Sequence, residues 1–143
     1  MPCHYVIDQQ HRLVISTGWG RLTFAEADSY QHQLKNDPDF DPAFHQLLDA
    51  TAVTALDMSA QQAKILIQRS LFRPTSRRAF VATSPALYGM GRLIAVYGEM
   101  ACIPQQIAVF YDRQSALEWL GAAILRDLLE VGEPRKVEVA ASL

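Results

Sequence analysis

The sequence predicts an α/β domain with a mixed, mostly parallel sheet. Three observations carry this. The chain has 143 residues, the length of one typical domain. Its composition is 50% hydrophobic, 20% charged and 9% aromatic, which is ordinary for a globular protein and unlike a disordered one. Finally, after an opening pair of strands, short β-type runs alternate with helical patterns, so that helices cover a parallel sheet.

The first run is Cys3 to Ile7, with Tyr5 and Ile7 on one face. Asp8-Gln9-Gln10-His11 is polar and turn-like, and Arg12 to Thr17 forms a second strand close enough for a hairpin. Gly18 and Gly20 then interrupt the pattern. Thr23 followed by Glu26 is a capping box, and Phe24, Ala27, Tyr30 and Leu34 recur at helical spacing until Asn36-Asp37-Pro38. Phe44 to Asp49 predicts a buried strand, with residues 50–57 as a loop. A second helix spans Ala60 to Leu71 and presents Ala63, Leu66, Ile67 and Leu71 to the core. Arg77 to Thr83 is the next strand. Ser84 caps a third helix that carries Pro85 in its first turn and runs to about Ala101. Ile107 to Tyr111 is the last core strand. A fourth helix starts near Asp112 with Ala116, Leu117, Trp119 and Leu120, and stop signals follow at Gly132 and Pro134.

The order is β-β-α-β-α-β-α-β-α, with one antiparallel edge hairpin and about four helices. Residues 1–131 form one domain on this reading. Residues 132–143 alternate in polarity and are read either as a flexible tail or as an extra strand.

Composition also narrows function. A formal net charge of -2 argues against general nucleic-acid binding. Apolar stretches are broken by charges such as Arg92 and Glu99, so no membrane span is expected. The start of the chain lacks a basic segment followed by a long apolar run, so no targeting segment is expected. Cys3 and Cys102 are read as reduced thiols of a cytoplasmic protein. His4, His11, His32 and His45 show no metal-ligand spacing, and no metal or cofactor is expected. Gly-x-Ser-x-Gly is absent, and Asp49 and Asp57 are not fixed as an acid–base pair, so no enzyme is expected.

Two segments carry a family resemblance. Gly20-Arg21-Leu22-Thr23 is similar to the Gly-x-Leu-Asp that follows the second strand in the STAS family. Leu48-Asp49-Ala50 through Leu56-Asp57-Met58-Ser59-Ala60 resembles that family's strand, Asp-x-Ser-x-Val, and Asp-Ser-Ser-Gly at a helix start. STAS domains include sulfate-transporter C-terminal domains and bacterial anti-sigma-factor antagonists such as SpoIIAA. The resemblance covers about residues 3 to 130 and implies a stand-alone, non-enzymatic regulatory or protein-interaction module. In the phosphorylated antagonists the serine directly after the aspartate is the switch. Met58 occupies that position here and cannot be phosphorylated. Ser59 matches the motif's second serine, and Ala60 replaces its glycine. Ser59 is either an ordinary N-cap or a phosphate acceptor favoured by the helix N-terminus.

Two functions follow from these residues. In the first, Asp57, Met58 and Ser59 dock an unidentified protein partner together with Tyr88 and Met90, or a second copy of the chain as a homodimer. This predicts an exposed apolar patch near Met58, Leu87, Tyr88 and Met90. In the second, the domain binds a small ligand or lipid, as in the distantly related CRAL-TRIO domains, and needs a pocket. Arg73, Arg77, Arg78 and Arg92 are candidate anion contacts around the loop after the second helix, alongside Arg69; a solvated helix end is the alternative. Gly89 and Gly91 each cost a helix about 1 kcal/mol relative to Ala, so either another helix, a ligand or a second subunit approaches closely there, or the helix begins near Met90 and the glycines belong to a loop over the sheet edge.

Overall fold

A computed structural model describes residues 3–69 and 71–131, with residues 125–131 described by backbone alone. Its elements are β1 (Cys3–Asp8), β2 (Leu13–Thr23), α1 (Phe24–Lys35), β3 (His45–Asp57), α2 (Ala60–Gln68), β4 (Arg77–Val81), α3 (Pro85–Met100), β5 (Gln106–Phe110) and α4 (Arg113–Val131). The expected tail, 132–143, lies outside the described residues.

The five strands form one sheet in chain order. β1 runs antiparallel to β2, and every later pairing is parallel. Parallel crossovers are right-handed almost without exception, and β2 to β5 are added in one direction. The linking helices α1, α2 and α3 are therefore delivered to one face. α4 links to no further strand among the described residues and closes the other face.

The pleat assigns side chains to the two faces. Leu13, Ile15, Leu47, Ala79 and Val81 meet Ala116 and Leu120 of α4. On the opposite face Val14 packs with Leu34 of α1, and Phe80 packs with Leu87 of α3. The central strands are thus buried on both sides, as a parallel sheet requires.

The helix starts follow the expected chemistry. Thr23 Oγ1 accepts from the Glu26 amide and the Glu26 side chain accepts from the Thr23 amide, completing the box. Ser59 and Gln62 form a second box at α2. Ser84 caps α3, and Pro85 occupies its first turn.

Two expectations need revision. Residues 50–57 are strand, not loop: β3 runs unbroken to Asp57. Its register against β2 slips between Thr17 and Trp19 and again between Gly20 and Arg21, with one extra β3 residue each time. Gly20 supplies the left-handed φ of 61° that this irregular ribbon uses. As a result Ala50, Val53 and Leu56, spaced by three, face the same way and join the cluster around Phe80 and Leu87. The glycines of α3 also differ in role. A Cβ at Gly91 would lie 2.8 Å from Val109 Cγ2, whereas one at Gly89 would meet nothing within 4 Å. Gly98 likewise abuts Ile107, so Gly91 and Gly98 let α3 settle onto β5.

Candidate functional site

Between the sheet and α1–α3 lies an apolar chamber of about 130 Å³. That is close to the ~150 Å³ that holds a benzene-sized ligand in a protein core. Leu48 and Phe80 form part of its sheet wall, Ala63 and Ile67 of α2 stand opposite, and Leu87 and Ile94 come from α3. The overhanging β2–β3 ribbon contributes Leu22, Val53 and Leu56. The bulges therefore matter to the site, because they turn these residues toward the helices.

Polar groups occupy one part of this apolar lining. Ser16, Gln46 and Arg78 stand on the same face of β2, β3 and β4 and line the chamber with Tyr30 of α1. Gln46 Nε2 donates to Ser16 Oγ at 3.2 Å and to Tyr30 Oη at 2.9 Å, and the Ser16 and Tyr30 hydroxyls also bond each other. Arg78 Nε donates to Gln46 Oε1 at 3.0 Å, and its Nη1 donates to Gln105 Oε1 at 2.6 Å. Gln105 in turn donates to the Ile67 carbonyl at 2.7 Å. The Arg78 guanidinium lies 4.7 Å from the centre of the Phe72 ring. Burial raises the Tyr30 phenol above its ordinary value and lowers the Arg78 guanidinium to about 10. At neutral pH the phenol is uncharged and the arginine still carries its proton.

The residues expected to form a docking surface are placed differently. Asp57 ends β3 and pairs with exposed Arg21. Met58 is half-buried and lines the chamber. Ser59 is exposed and serves as the α2 cap. Tyr88 stacks flat on Tyr111, ring centres 3.8 Å apart, while Met90 is half-buried. Leu87 is only 6% exposed, so the apolar patch expected around these residues is not formed. Burial against Phe80 explains this: Leu87 lies on the sheet side of α3.

The candidate arginines do not assemble either. Arg77 and Arg78 are neighbours on a strand, so they point to opposite faces. Arg77 Nη1 donates to the Trp119 carbonyl at 2.9 Å, and its guanidinium lies over the Trp119 ring. Arg73 and Arg92 are exposed. Arg69 pairs with Asp28 across α1 and α2. Of the group, only Arg78 lines the chamber. Gln46, Gln105, Tyr30 and Ser16 were not singled out from sequence, although Ser16, Gln46 and Arg78 lie on strands whose faces could be read by alternation.

Asp49, inside β3 just before the first register slip, is a structural group. Its Oδ2 accepts from Arg113 Nη1 at 2.9 Å, and its Oδ1 accepts from the Thr51 amide and hydroxyl. It ties β3 to the start of α4.

The architecture has a solved counterpart. An uncharacterized protein of Shewanella loihica, from the DUF3478 family, superposes with a TM-score of 0.59 over 82% of this chain and 93% of its own. The fold is SpoIIAA-like. Sequence identity to that protein is 18%, so the likeness concerns the fold alone. No protein-family profile and no curated protein matches the chain. Among the described residues no helix is long and apolar enough to cross a membrane.

Proposed function

We propose that this SpoIIAA-like domain is a non-enzymatic binding module that takes a small, mainly apolar molecule into the chamber beneath α1–α3. The chamber itself supports this most directly: an apolar space of about 130 Å³ between the sheet and three helices. Interiors normally fill such space, because unfilled volume forfeits dispersion contacts. Protein docking through Met58, Leu87, Tyr88 and Met90 has weaker support, since Leu87 and Met58 turn inward. Met58 instead couples the two ideas. It lines the chamber and sits in the loop that precedes α2, so a bound molecule touches the segment through which STAS-like antagonists signal.

Toluene is a suitable probe. Added to isotope-labelled protein, it is expected to shift NMR signals of Ile67, Leu87 and Phe80 at millimolar concentration. Ala63→Leu, which places a larger side chain in the chamber wall, is expected to abolish those shifts. Shifts confined to surface residues, or unchanged by Ala63→Leu, would overturn the proposal.

A further inference from the structure

Among the described residues Arg78 is the one cation that lines the chamber, and its surroundings are unusual for a charge. The side chain leaves the middle of the sheet on a strand flanked by β3 and β5. The residue is half-buried and lines the chamber. Its described partners are Gln46, Gln105 and the Phe72 ring, all neutral. None of the described ion pairs includes Arg78. A guanidinium has five N–H donors. Gln46 engages Nε and Gln105 engages Nη1, and no described hydrogen bond uses Nη2.

A buried charge without a counter-charge is costly, and buried cations are ordinarily matched by an anion. Here the chain itself supplies none within the described residues. What it supplies is pre-organisation. Gln46 is held by Ser16 and Tyr30, and Gln105 by the Ile67 carbonyl, so the two amide oxygens fix the plane of the guanidinium. The edge left free is fixed as well.

We infer that the chamber takes a monocarboxylate with a small apolar or aromatic body, its carboxylate seated on Arg78 and its body against the apolar walls. This rests on the chamber-binding proposal and specifies its ligand class. A carboxylate suits the site for two reasons. It is planar and pairs with a guanidinium through parallel hydrogen bonds. It also carries a single negative charge, which balances the single positive one. A phosphate dianion would leave an excess negative charge in an apolar space.

A matched set of probes tests this: benzoate, its neutral isostere benzamide, and toluene. Binding is measured by NMR titration on the full chain at pH 7. Benzoate is expected to bind at least tenfold more tightly than benzamide and to shift the Arg78 side-chain signals. Arg78→Met keeps the length of the side chain without its charge. It is expected to remove the benzoate preference while still admitting toluene. If Arg78→Met does not fold, the three probes on the wild-type chain decide the matter alone. Toluene binding in the chamber with no preference for benzoate would overturn the carboxylate inference and leave the chamber proposal standing. Retention of the preference in Arg78→Met would place the anion elsewhere and also overturn it. No binding by any of the three overturns both.

Discussion

Gly91 faces the sheet from α3, where an added Cβ would press on Val109 and on the Phe80 ring at 2.8 and 2.9 Å. Gly89, two residues earlier, faces open space. Alanine improves helix propensity by about 1 kcal/mol at either site. At Gly91 this gain is outweighed by overpacking, which costs about 1–3 kcal/mol in a filled core. Gly89→Ala is therefore expected to raise the urea midpoint, and Gly91→Ala to lower it; equal stabilisation by both would contradict the close packing of α3 on β5. The same residue scale explains what sequence could and could not reveal about the site. A close neighbour was one of two readings of the glycine pair; that the neighbour is the sheet, and that Gly91 rather than Gly89 meets it, depends on how α3 is rotated. The Arg77-Arg78 pair was legible as strand, and strand alternation already sends the two side chains to opposite faces. What was missing was the double burial of β4, which draws Arg78 inside rather than leaving it on a solvated loop. With both faces covered, Arg77 escapes toward Trp119 and Arg78 is left lining the chamber.

At the scale of elements, the helix starts were the most readable features, because a cap is local chemistry. The Ser59 cap yields a direct prediction. Its Oγ accepts from the Gln62 amide at 3.1 Å, and the Gln62 side chain returns a bond to the Ser59 amide at 2.9 Å. Ser59→Ala is expected to cost about 1 kcal/mol. Ser59→Asp keeps a capping oxygen and adds a negative charge at the helix N-terminus, so it should cost no more than a few tenths of a kcal/mol. Thermal unfolding of the two variants separates these values; an Asp variant as unstable as the Ala variant would remove the cap as the role of Ser59. The β2–β3 ribbon was the least readable element. A regular strand shows apolar residues at every second position, but the two register slips move them to Leu48, Ala50, Val53 and Leu56. That spacing, in a segment rich in Ala and Thr, has no strand periodicity. The ribbon is also what roofs the chamber, so the least readable element is one the site depends on.

For the whole molecule, topology was legible because crossover handedness and chain order leave few arrangements. The chamber was not, since its volume depends on how far three helices stand from the sheet, a property that no local pattern encodes. The response to pH is another property of the whole, set by charges spread over many elements. Asp28 is held below the ordinary carboxylate range chiefly by its hydrogen bond to Arg69. Asp37 is held down by the Asp39 amide and then by the Tyr5 hydroxyl, and Asp112 by the Ser115 amide and hydroxyl. A lowered folded-state value stabilises the fold above the unfolded value, near pH 4, and that stability is lost as pH falls through the folded value. All three carboxylates act in this same acid window.

The alkaline limb has the opposite origin. Tyr5 donates to Asp37 Oδ2 at 2.7 Å, and burial followed by that bond pushes its phenol up to about 12. A raised folded-state value means that the neutral phenol is favoured by folding. Its contribution is complete below the ordinary phenol value near 10 and is lost as pH rises toward 12. Tyr30, raised by burial, titrates with the same sign. Arg78 opposes them. Its guanidinium is lowered to about 10, so the folded chain sheds that proton before the unfolded chain does, and stability rises through that step. Denaturation midpoints should therefore fall below about pH 4, and above about pH 9 the raised Cys3 thiol and the Tyr5 and Tyr30 phenols lower them while Arg78 offsets part of that fall. Tyr5→Phe keeps the ring stacked on Tyr30 but removes the titrating hydroxyl. It is expected to shrink the alkaline fall without abolishing it, because Tyr30 remains. It should also shrink the acid fall by only a little, because the Asp39 amide, the larger influence on Asp37, is untouched. Urea midpoints measured across pH for the two proteins test both limbs, and an alkaline fall of unchanged size in Tyr5→Phe would show that the Tyr5–Asp37 bond carries none of it.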